Sequence, residues 1–149
     1  MGKLAKWLRM MGYDTLFFNG EDDAHMIAMA RREGRVILTK DTQIMLRRVV
    51  TTGQVSAIFI NSDKPEAQMR QVVATLNLDP QHNPFSICLE CNQSLMERSK
   101  DEVRDQVPPY VFKTQNQYMQ CPSCHRIYWR GTHWWAMHQK LLGFLKDSD

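Results

Sequence analysis

The chain's four cysteines form two C-x-x-C pairs, Cys88 with Cys91 and Cys121 with Cys124, separated by 29 residues. A tetrahedral zinc ion needs four soft ligands, and two residues between paired cysteines let one tight turn direct both sulfurs at one metal. We therefore predict a structural Zn²⁺ site made by all four. Because the gap is longer than the usual run of about fifteen to twenty residues, the predicted zinc ribbon must carry an insertion.

Two other interpretations of the cysteines remain open, namely two disulfides or two independent redox pairs. The chain opens with no basic-then-apolar leader, and neither pair has the strand-then-helix context of a thioredoxin-like motif. Both observations favour zinc. Reduced cysteines arranged for a metal suit a reducing compartment, so we expect a cytoplasmic protein.

Composition excludes some classes of protein. The chain has 149 residues, of which 43% are hydrophobic, and no apolar run is long enough for a bilayer span. A disordered chain and a membrane protein are therefore both unexpected. A net charge of +3 permits a polyanionic partner such as RNA without requiring one. RNA is the partner we expect, and a protein partner or a homo-oligomer is also compatible with the sequence.

The first half of the chain alternates between two kinds of hydrophobic pattern. Apolar residues at helical spacing predict four helices, at residues 3–11, 23–33, 42–52 and 63–76. Short β-branched or aromatic runs predict three strands between them, at residues 14–19, 36–39 and 55–60. This alternation is typical of an α/β domain with a mostly parallel sheet. In the first helix, Lys3, Lys6 and Arg9 are predicted to form a solvated face.

A proline-containing stretch at residues 77–84 separates this pattern from the cysteines. We predict an α/β domain over residues 1–82 and a zinc ribbon with a C-terminal helix over residues 83–149. Within the second domain we expect a polar helix at residues 99–106, which Pro108 and Pro109 end. Strands at 110–120 and 126–129 and a final helix at 133–146 complete it.

Acidic residues follow each predicted strand of the first half: Asp23, Asp41 and Asp63. Ligands bind at the carboxyl ends of strands in open parallel sheets, so we expect these carboxylates at one rim. Carboxylates brought together need a cation, and hard Mg²⁺ or Mn²⁺ prefers oxygen ligands. A metal bound there would support hydrolysis.

The alternative is that each of these acids caps a helix, because each precedes a helical pattern. For Asp63 the spacing to Glu66 matches a capping box and favours the cap. For Asp41, which directly follows a buried strand, the metal role is favoured. Asp23 fits both interpretations equally well.

Four stretches of the chain resemble one known family. They are Gly2 to Thr15 (GKLAKWLRMMGYDT), Glu33 to Asp41 (EGRVILTKD), Val107 to Val111 (VPPYV) and Tyr128 to Trp134 (YWRGTHW). Together with the cysteine pairs, they resemble the PIN-like ribonucleases that also form the C-terminal domain of the animal mutator-seven exonuclease. The resemblance implies a three-layer PIN-like domain followed by a zinc ribbon, and metal-dependent cleavage of RNA. Asp41 and Asp23 match the family's acids, and Asp63 is a looser match.

Members of that family begin with a strand that carries a metal-binding aspartate, just before the Gly-Lys-Leu-Ala helix. Here Met1 stands where that strand would already have ended. We therefore expect this chain to be an impaired nuclease. The alternative function is a non-catalytic zinc-ribbon module that binds nucleic acid or protein.

Basic and aromatic residues surround the second cysteine pair. Arg126 and Arg130 flank a predicted strand, and Trp134 and Trp135 follow. Arginines beside aromatic rings can neutralise phosphate and stack on bases, so Arg126 and Arg130 are our candidate RNA-binding residues. In the alternative interpretation, Trp134 packs the ribbon onto the first domain and the arginines are merely solvated.

Overall fold

A computed structural model describes residues 1–18 and 22–146. In chain order its elements are α1 (Gly2–Met10), α2 (Asp23–Glu33), β1 (Ile37–Thr39), α3 (Thr42–Met45), α4 (Arg48–Thr51), β2 (Ala57–Phe59), α5 (Pro65–Leu76), β3 (Met96–Arg98), α6 (Pro109–Thr114), β4 (Tyr118–Gln120), β5 (Ile127–Tyr128) and α7 (Thr132–Lys146). The predicted α/β class is confirmed. None of the helices within the described ranges has the length and apolar character that a bilayer span requires.

The strands form two small sheets. β1 and β2 pair in parallel, with Ile37 opposite Ala57 and Thr39 opposite Phe59. β3, β4 and β5 form an antiparallel sheet in that order. We refer to residues 86–129, which contain this second sheet and both cysteine pairs, as the ribbon.

The strand predicted at residues 14–19 is not found at residues 14–18, which have no regular secondary structure. Asn19, the last residue of that prediction, lies outside the described residues. The backbone N–H of Thr15 donates to the side chain of Asn92 in the ribbon at 2.8 Å, and not to a neighbouring strand. A cavity of about 480 Å³ lies between this segment, α1 and β1. The aromatic pattern alone could not reveal this competing partner.

The larger hydrophobic core forms around α1. Leu4, Leu8 and Met11 are buried, as their helical spacing predicts, and Trp7 is buried beside them. Residues from β2's end, α5 and α7 complete this core: Ile60, Met69, Val72, Leu141 and Leu145. Because α7 follows the ribbon yet packs into the core of the first half, the division at residues 82 and 83 stays a prediction.

A second core lies between α2, β1 and the segment that leads into β2. Its buried members are Ile27, Ala30, Ile37, Ile44 and Val55. The ends of α2 are as predicted. The Asp22 carboxylate accepts the His25 N–H at 3.0 Å, and Gly34 ends the helix with a left-handed φ of 67° that glycine adopts without strain.

Two helix predictions in the first half need correction. The helix predicted at 42–52 is split into α3 and α4, because Arg47 has extended backbone angles (φ −58°, ψ 138°). α5 begins at Pro65 with Lys64 as its N-cap, so the predicted capping box of Asp63 and Glu66 is wrong. Proline suits the first helical position, where no N–H is needed, and this sets the start of the helix.

The insertion of the ribbon also differs from its prediction. The helix expected at 99–106 is a series of turns, and the helix lies instead at α6, directly after Pro108. Pro109 occupies the first turn, which it tolerates, so the proline pair starts a helix where we expected it to end one. The strand predicted at 110–120 is shortened to β4. Tyr118 of β4 is fully buried with Val103 and Val107.

Candidate functional site

The four cysteines come together as predicted. Their sulfur atoms all lie within 4.8 Å of one another, and the Sγ atoms of Cys88 and Cys124 are 3.8 Å apart. Two Zn–S bonds of about 2.3 Å at a tetrahedral angle place their sulfurs roughly 3.8 Å apart. Four free thiols at this spacing fit the ligand set of a structural zinc ion, and the cluster could bind one.

The two cysteine pairs have the same local backbone. The residue after each pair, Asn92 or His125, has a positive φ, of 61° and 65° respectively. The N–H of Asn92 donates to the carbonyl of Cys88 at 2.9 Å, and the N–H of His125 donates to that of Cys121 at 3.0 Å. His125 therefore closes a turn, and it does not belong to the group of metal-ligating side chains found in the described chain.

The thiols differ in acidity because of their surroundings. Burial alone would raise the pKa of Cys121, but the N–H groups of Cys124 and Ser123, at 3.5 and 3.4 Å from its sulfur, outweigh burial and lower that pKa to about 7. The hydrogen bond with the Cys124 thiol and then burial raise the pKa of Cys91 to about 12. Four clustered sulfurs cannot all ionise without a cation, and a bound Zn²⁺ would supply positive charge at this position.

Tyr128 supports this cluster, a role that its predicted position in a strand did not indicate. Its hydroxyl lies 3.2 Å from the Cys88 sulfur and accepts the Leu89 N–H at 3.2 Å. Burial, and then the Cys88 sulfur, raise the pKa of Tyr128, so the hydroxyl keeps its proton and can donate it to sulfur. Such outer contacts orient ligands in metal sites.

Arg9 of α1 joins the first cysteine pair to the N-terminal half. Its Nη1 donates to the carbonyl oxygen of Leu89 at 2.7 Å, and its Nε donates to that of Thr15 at 2.8 Å. Only 7% of Arg9 is exposed, so the prediction that it lies on a solvated face is wrong. Beside it, Lys6 forms an ion pair with Glu90 at 2.9 Å.

Asn92 makes a second connection between the two halves. Its Oδ1 accepts the Thr15 N–H, and its Nδ2 donates to Asp14 at 2.5 Å. The other partner of Asp14 is Arg35, whose two Nη atoms donate to the carboxylate at 3.1 and 3.0 Å. The Arg35 hydrogen bonds, followed by that of Asn92, hold the pKa of Asp14 below its usual value despite some burial.

The three candidate catalytic acids lie at separate positions. Asp41 is exposed and caps α3, accepting the Gln43 N–H at 2.8 Å. Asp23 is in the first turn of α2, next to the capping Asp22. Asp63 is exposed and forms an ion pair with Lys40. In the described ranges the four cysteines are the one group of three or more potential ligands close enough to share an ion. The catalytic roles of these acids stay predictions.

The two candidate RNA-binding arginines have different surroundings. Arg126 is exposed, with its Nη1 4.0 Å from Glu90. The guanidinium of Arg130 lies 4.8 Å from the ring centre of Phe85 and 5.1 Å from that of Trp134. Its Nε is buried and has no hydrogen-bond partner among the described residues. The two arginines therefore do not form one solvent-facing pair.

Comparison with known proteins places these features in context. The family model described as the Mut7-C RNAse domain matches residues 1–141. The human protein "Exonuclease mut-7 homolog" is 36% identical over 92 residues, which are 60% of this chain and 10% of that protein. The chain thus spans about a tenth of the length of this relative. No solved structure matches.

Proposed function

The chain belongs to the Mut7-C RNAse domain family, and from this membership we propose that it is a metal-dependent ribonuclease that hydrolyses RNA phosphodiester bonds. The observation that carries the proposal is the extent of the family match, which includes all four cysteines and the three candidate acids. The human relative is named an exonuclease, but it is about ten times longer than the matched part, and we assign this chain neither exo- nor endonuclease action.

The proposed architecture of the catalytic part is PIN-like. In support, β1 and β2 are parallel and have helices as their neighbours in the chain. The carboxyl ends of both strands face the same edge of the sheet, because parallel strands run in the same direction. Asp41 follows β1 and Asp63 follows β2, and the ion pair between Lys40 and Asp63 bridges the two strand ends.

We assign Asp41, Asp23 and Asp63 as the residues that would hold Mg²⁺ or Mn²⁺. When bound, such a metal lowers the pKa of water and offsets phosphate charge. One oxygen of Asp41 caps α3, and the other has no hydrogen-bond donor among the described residues. The Lys40 ammonium, currently paired with Asp63, would be available to an RNA phosphate once that pair opens.

The other parts of the chain have supporting roles in this proposal. Zn²⁺ on Cys88, Cys91, Cys121 and Cys124 would hold the ribbon in its fold, because thiolate ligation and folding are coupled. Arg126 would contact the RNA backbone, since it is exposed and has one distant acidic partner. A reducing compartment such as the cytoplasm suits the reduced cysteines.

Cleavage of single-stranded RNA in the presence of Mn²⁺ tests the proposal. The informative variant is Asp41→Asn, because asparagine caps a helix about as well as aspartate and α3 should persist. We expect slow cleavage by the unmodified chain, in keeping with the impaired nuclease expected from the sequence, and loss of that cleavage in the variant. Asp22→Asn is the matched control, since it changes another exposed helix-capping carboxylate, and it should keep full activity.

A second candidate function is a non-catalytic module that binds RNA or protein. It is favoured by the separate positions of the acids, each of which has a structural partner or a place in a helix turn. Under this alternative the unmodified chain binds RNA and does not cleave it with either Mg²⁺ or Mn²⁺. Absence of cleavage by well-folded, zinc-loaded protein would therefore replace the ribonuclease proposal with this one.

A further inference from the structure

A groove of about 560 Å³ lies between α2 and the start of α4, far along the chain from the cysteines. It has an apolar floor and three arginines around it. Its lining consists of Ala24, Ile27, Ala28, Arg31, Arg32, Arg47 and Val49.

The local sequence explains the shape of this groove. Ala24, Ile27, Ala28 and Arg31 are spaced three, four and seven residues apart on α2, so they share one helix face. The two alanines are too small to fill the space towards α4. On the other side, Arg47 has an extended backbone at the start of α4, which separates it from α3. The groove is thus a consequence of the break between α3 and α4.

The charges in the groove are poorly neutralised. All three arginines are exposed, and Arg32 has an acidic neighbour, Glu33, at a distance of 3.9 Å. Arg31 and Arg47 have no acidic partner in the described part of the chain. In contrast, Arg35 is held by Asp14 and Glu33. Like charges around one groove repel each other and favour a bound anion.

We propose that this groove binds the backbone of single-stranded RNA, a proposal that names RNA because it rests on the proposed function. The guanidinium groups of Arg31, Arg32 and Arg47 would each contact phosphate oxygens, which match their forked donors. The flat apolar face of Ala24 and Ala28 would lie against riboses or bases, whose faces are sequence-neutral surfaces for contact.

The groove lies close to one of the candidate acids, so RNA bound in it could reach that acid. Asp23 and Arg31 stand on the same helix, eight residues apart, which is about 12 Å along its axis. A strand held at the C-terminal end of α2 therefore needs to extend by only a few nucleotides to reach Asp23. Three guanidinium groups along one groove complement the successive phosphates of a nucleic-acid strand, and the proposed function makes RNA the occupant.

The test measures binding without cleavage. Zinc-loaded protein is titrated into fluorescein-labelled oligouridylate of about twelve nucleotides, without Mg²⁺ or Mn²⁺, between about 50 and about 300 mM NaCl. We expect Arg31→Ala/Arg47→Ala to weaken binding by at least about tenfold. The slope of log K against log salt should become shallower by about 1.4, because each lost phosphate contact on a single strand contributes about 0.7.

Two controls separate this groove from general electrostatics. Arg104→Ala removes an arginine of the ribbon that pairs with Asp101. It should leave the RNA affinity and the slope of log K against log salt unchanged. Arg31→Lys/Arg47→Lys keeps the charges, so it should keep the slope while losing the forked hydrogen bonds. Neither Arg31 nor Arg47 has a side-chain partner in the described structure. The thermal midpoint of both double variants should therefore equal that of the unmodified chain.

The outcomes are distinguishable. Unchanged affinity and slope in the double alanine variant, or an equal loss in Arg104→Ala, would overturn the groove proposal. Competition by polyglutamate as effective as that by unlabelled RNA would also overturn it, in favour of an acidic protein partner. If RNA binding depends on the groove and no cleavage follows with Mn²⁺, the ribonuclease proposal fails while the groove stands.

Discussion

Arg9 Nη1 in α1 donates a 2.7 Å hydrogen bond to the carbonyl oxygen of Leu89, which lies between Cys88 and Cys91, eighty residues away in sequence. The same guanidinium holds the carbonyl of Thr15. A charged, buried side chain thus connects the first helix, the irregular segment after it and the cysteine cluster. Folding of the cysteine cluster and folding of the N-terminal half should therefore stabilise each other.

Replacement of Arg9 by alanine is expected to lower the free energy of unfolding by about 2 kcal/mol, because two part-buried carbonyl groups lose a charged donor. Arg9→Lys should recover little of this loss, since one ammonium cannot reproduce the forked geometry. Urea unfolding of both variants provides the measurement. Arg48→Ala, which changes an exposed arginine of α4, is the control and should change stability by less than about 0.5 kcal/mol. Full rescue by lysine would contradict the assigned geometry.

Zinc is expected to bind with a stoichiometry of one per chain, and its removal should speed hydrogen exchange at the Thr15 N–H. The Thr15 N–H is held by Asn92, directly after Cys91, so loss of the metal should release it. Hydrogen exchange before and after chelation measures this, with the Ile60 N–H, bonded to Thr39 at 2.7 Å, as the internal control. We expect faster exchange at Thr15 and little change at Ile60. Equal effects at both sites would mean global unfolding.

Any single Cys→Ser substitution among the four cysteines should abolish tight zinc binding and unfold the ribbon, because ligation and folding are coupled. Metal analysis and the near-ultraviolet spectrum of the ribbon's aromatic residues measure the two effects. His125→Asn is the matched control, since this residue adjoins the cluster but closes a turn at a positive φ that asparagine also adopts, as Asn92 does after the first pair. It should retain one zinc. A disulfide found in the native protein would instead exclude the metal site.

Stability should fall in acid through Asp14. The Arg35 hydrogen bonds hold the pKa of Asp14 below its unfolded value, which is about 3.9. The stabilisation is therefore fully present above that value and is lost as the pH falls through the lower, folded pKa. Asp14→Asn should be less stable than the unmodified chain near neutral pH, and the two should converge as the pH falls through the lowered, folded pKa of Asp14. A difference that stays constant from acid to neutral pH would rule out this linkage.

Alanine substitutions of Arg126 and Arg130 should have different effects on RNA binding and on thermal stability. Arg126→Ala is expected to weaken RNA binding and reduce the salt slope by about 0.7. It should lower the thermal midpoint less than Arg130→Ala does, because the Arg126 side chain is exposed although it interacts with the Tyr128 hydroxyl. Arg130→Ala should mainly lower the midpoint, since its guanidinium packs against the rings of both Phe85 and Trp134. Calorimetry and RNA titration of both variants test this. Equal changes in RNA affinity and in thermal midpoint for the two variants would contradict this prediction and indicate that both arginines belong to one RNA-binding surface.

Local features of the chain were accessible from sequence. The C-x-x-C spacing predicted the cysteine cluster, because two intervening residues allow one turn to place both sulfurs on the same side. Helical periodicity predicted the buried face of α1, and Asp22 and Gly34 predicted the ends of α2. Each of these depends on interactions within a few residues, so the information is contained in a short window of sequence.

Tertiary structure alone decided which distant groups satisfy one another. Thr15 could have joined a strand, but its N–H is taken by Asn92. Asp63 had the spacing of a cap, but its carboxylate pairs with Lys40 across the ends of two strands. Leu141 and Leu145 lie beyond the ribbon, yet they pack in the core of the N-terminal half. In each case several partners were compatible with the local pattern, and the choice was made by the packing of segments far apart in the chain.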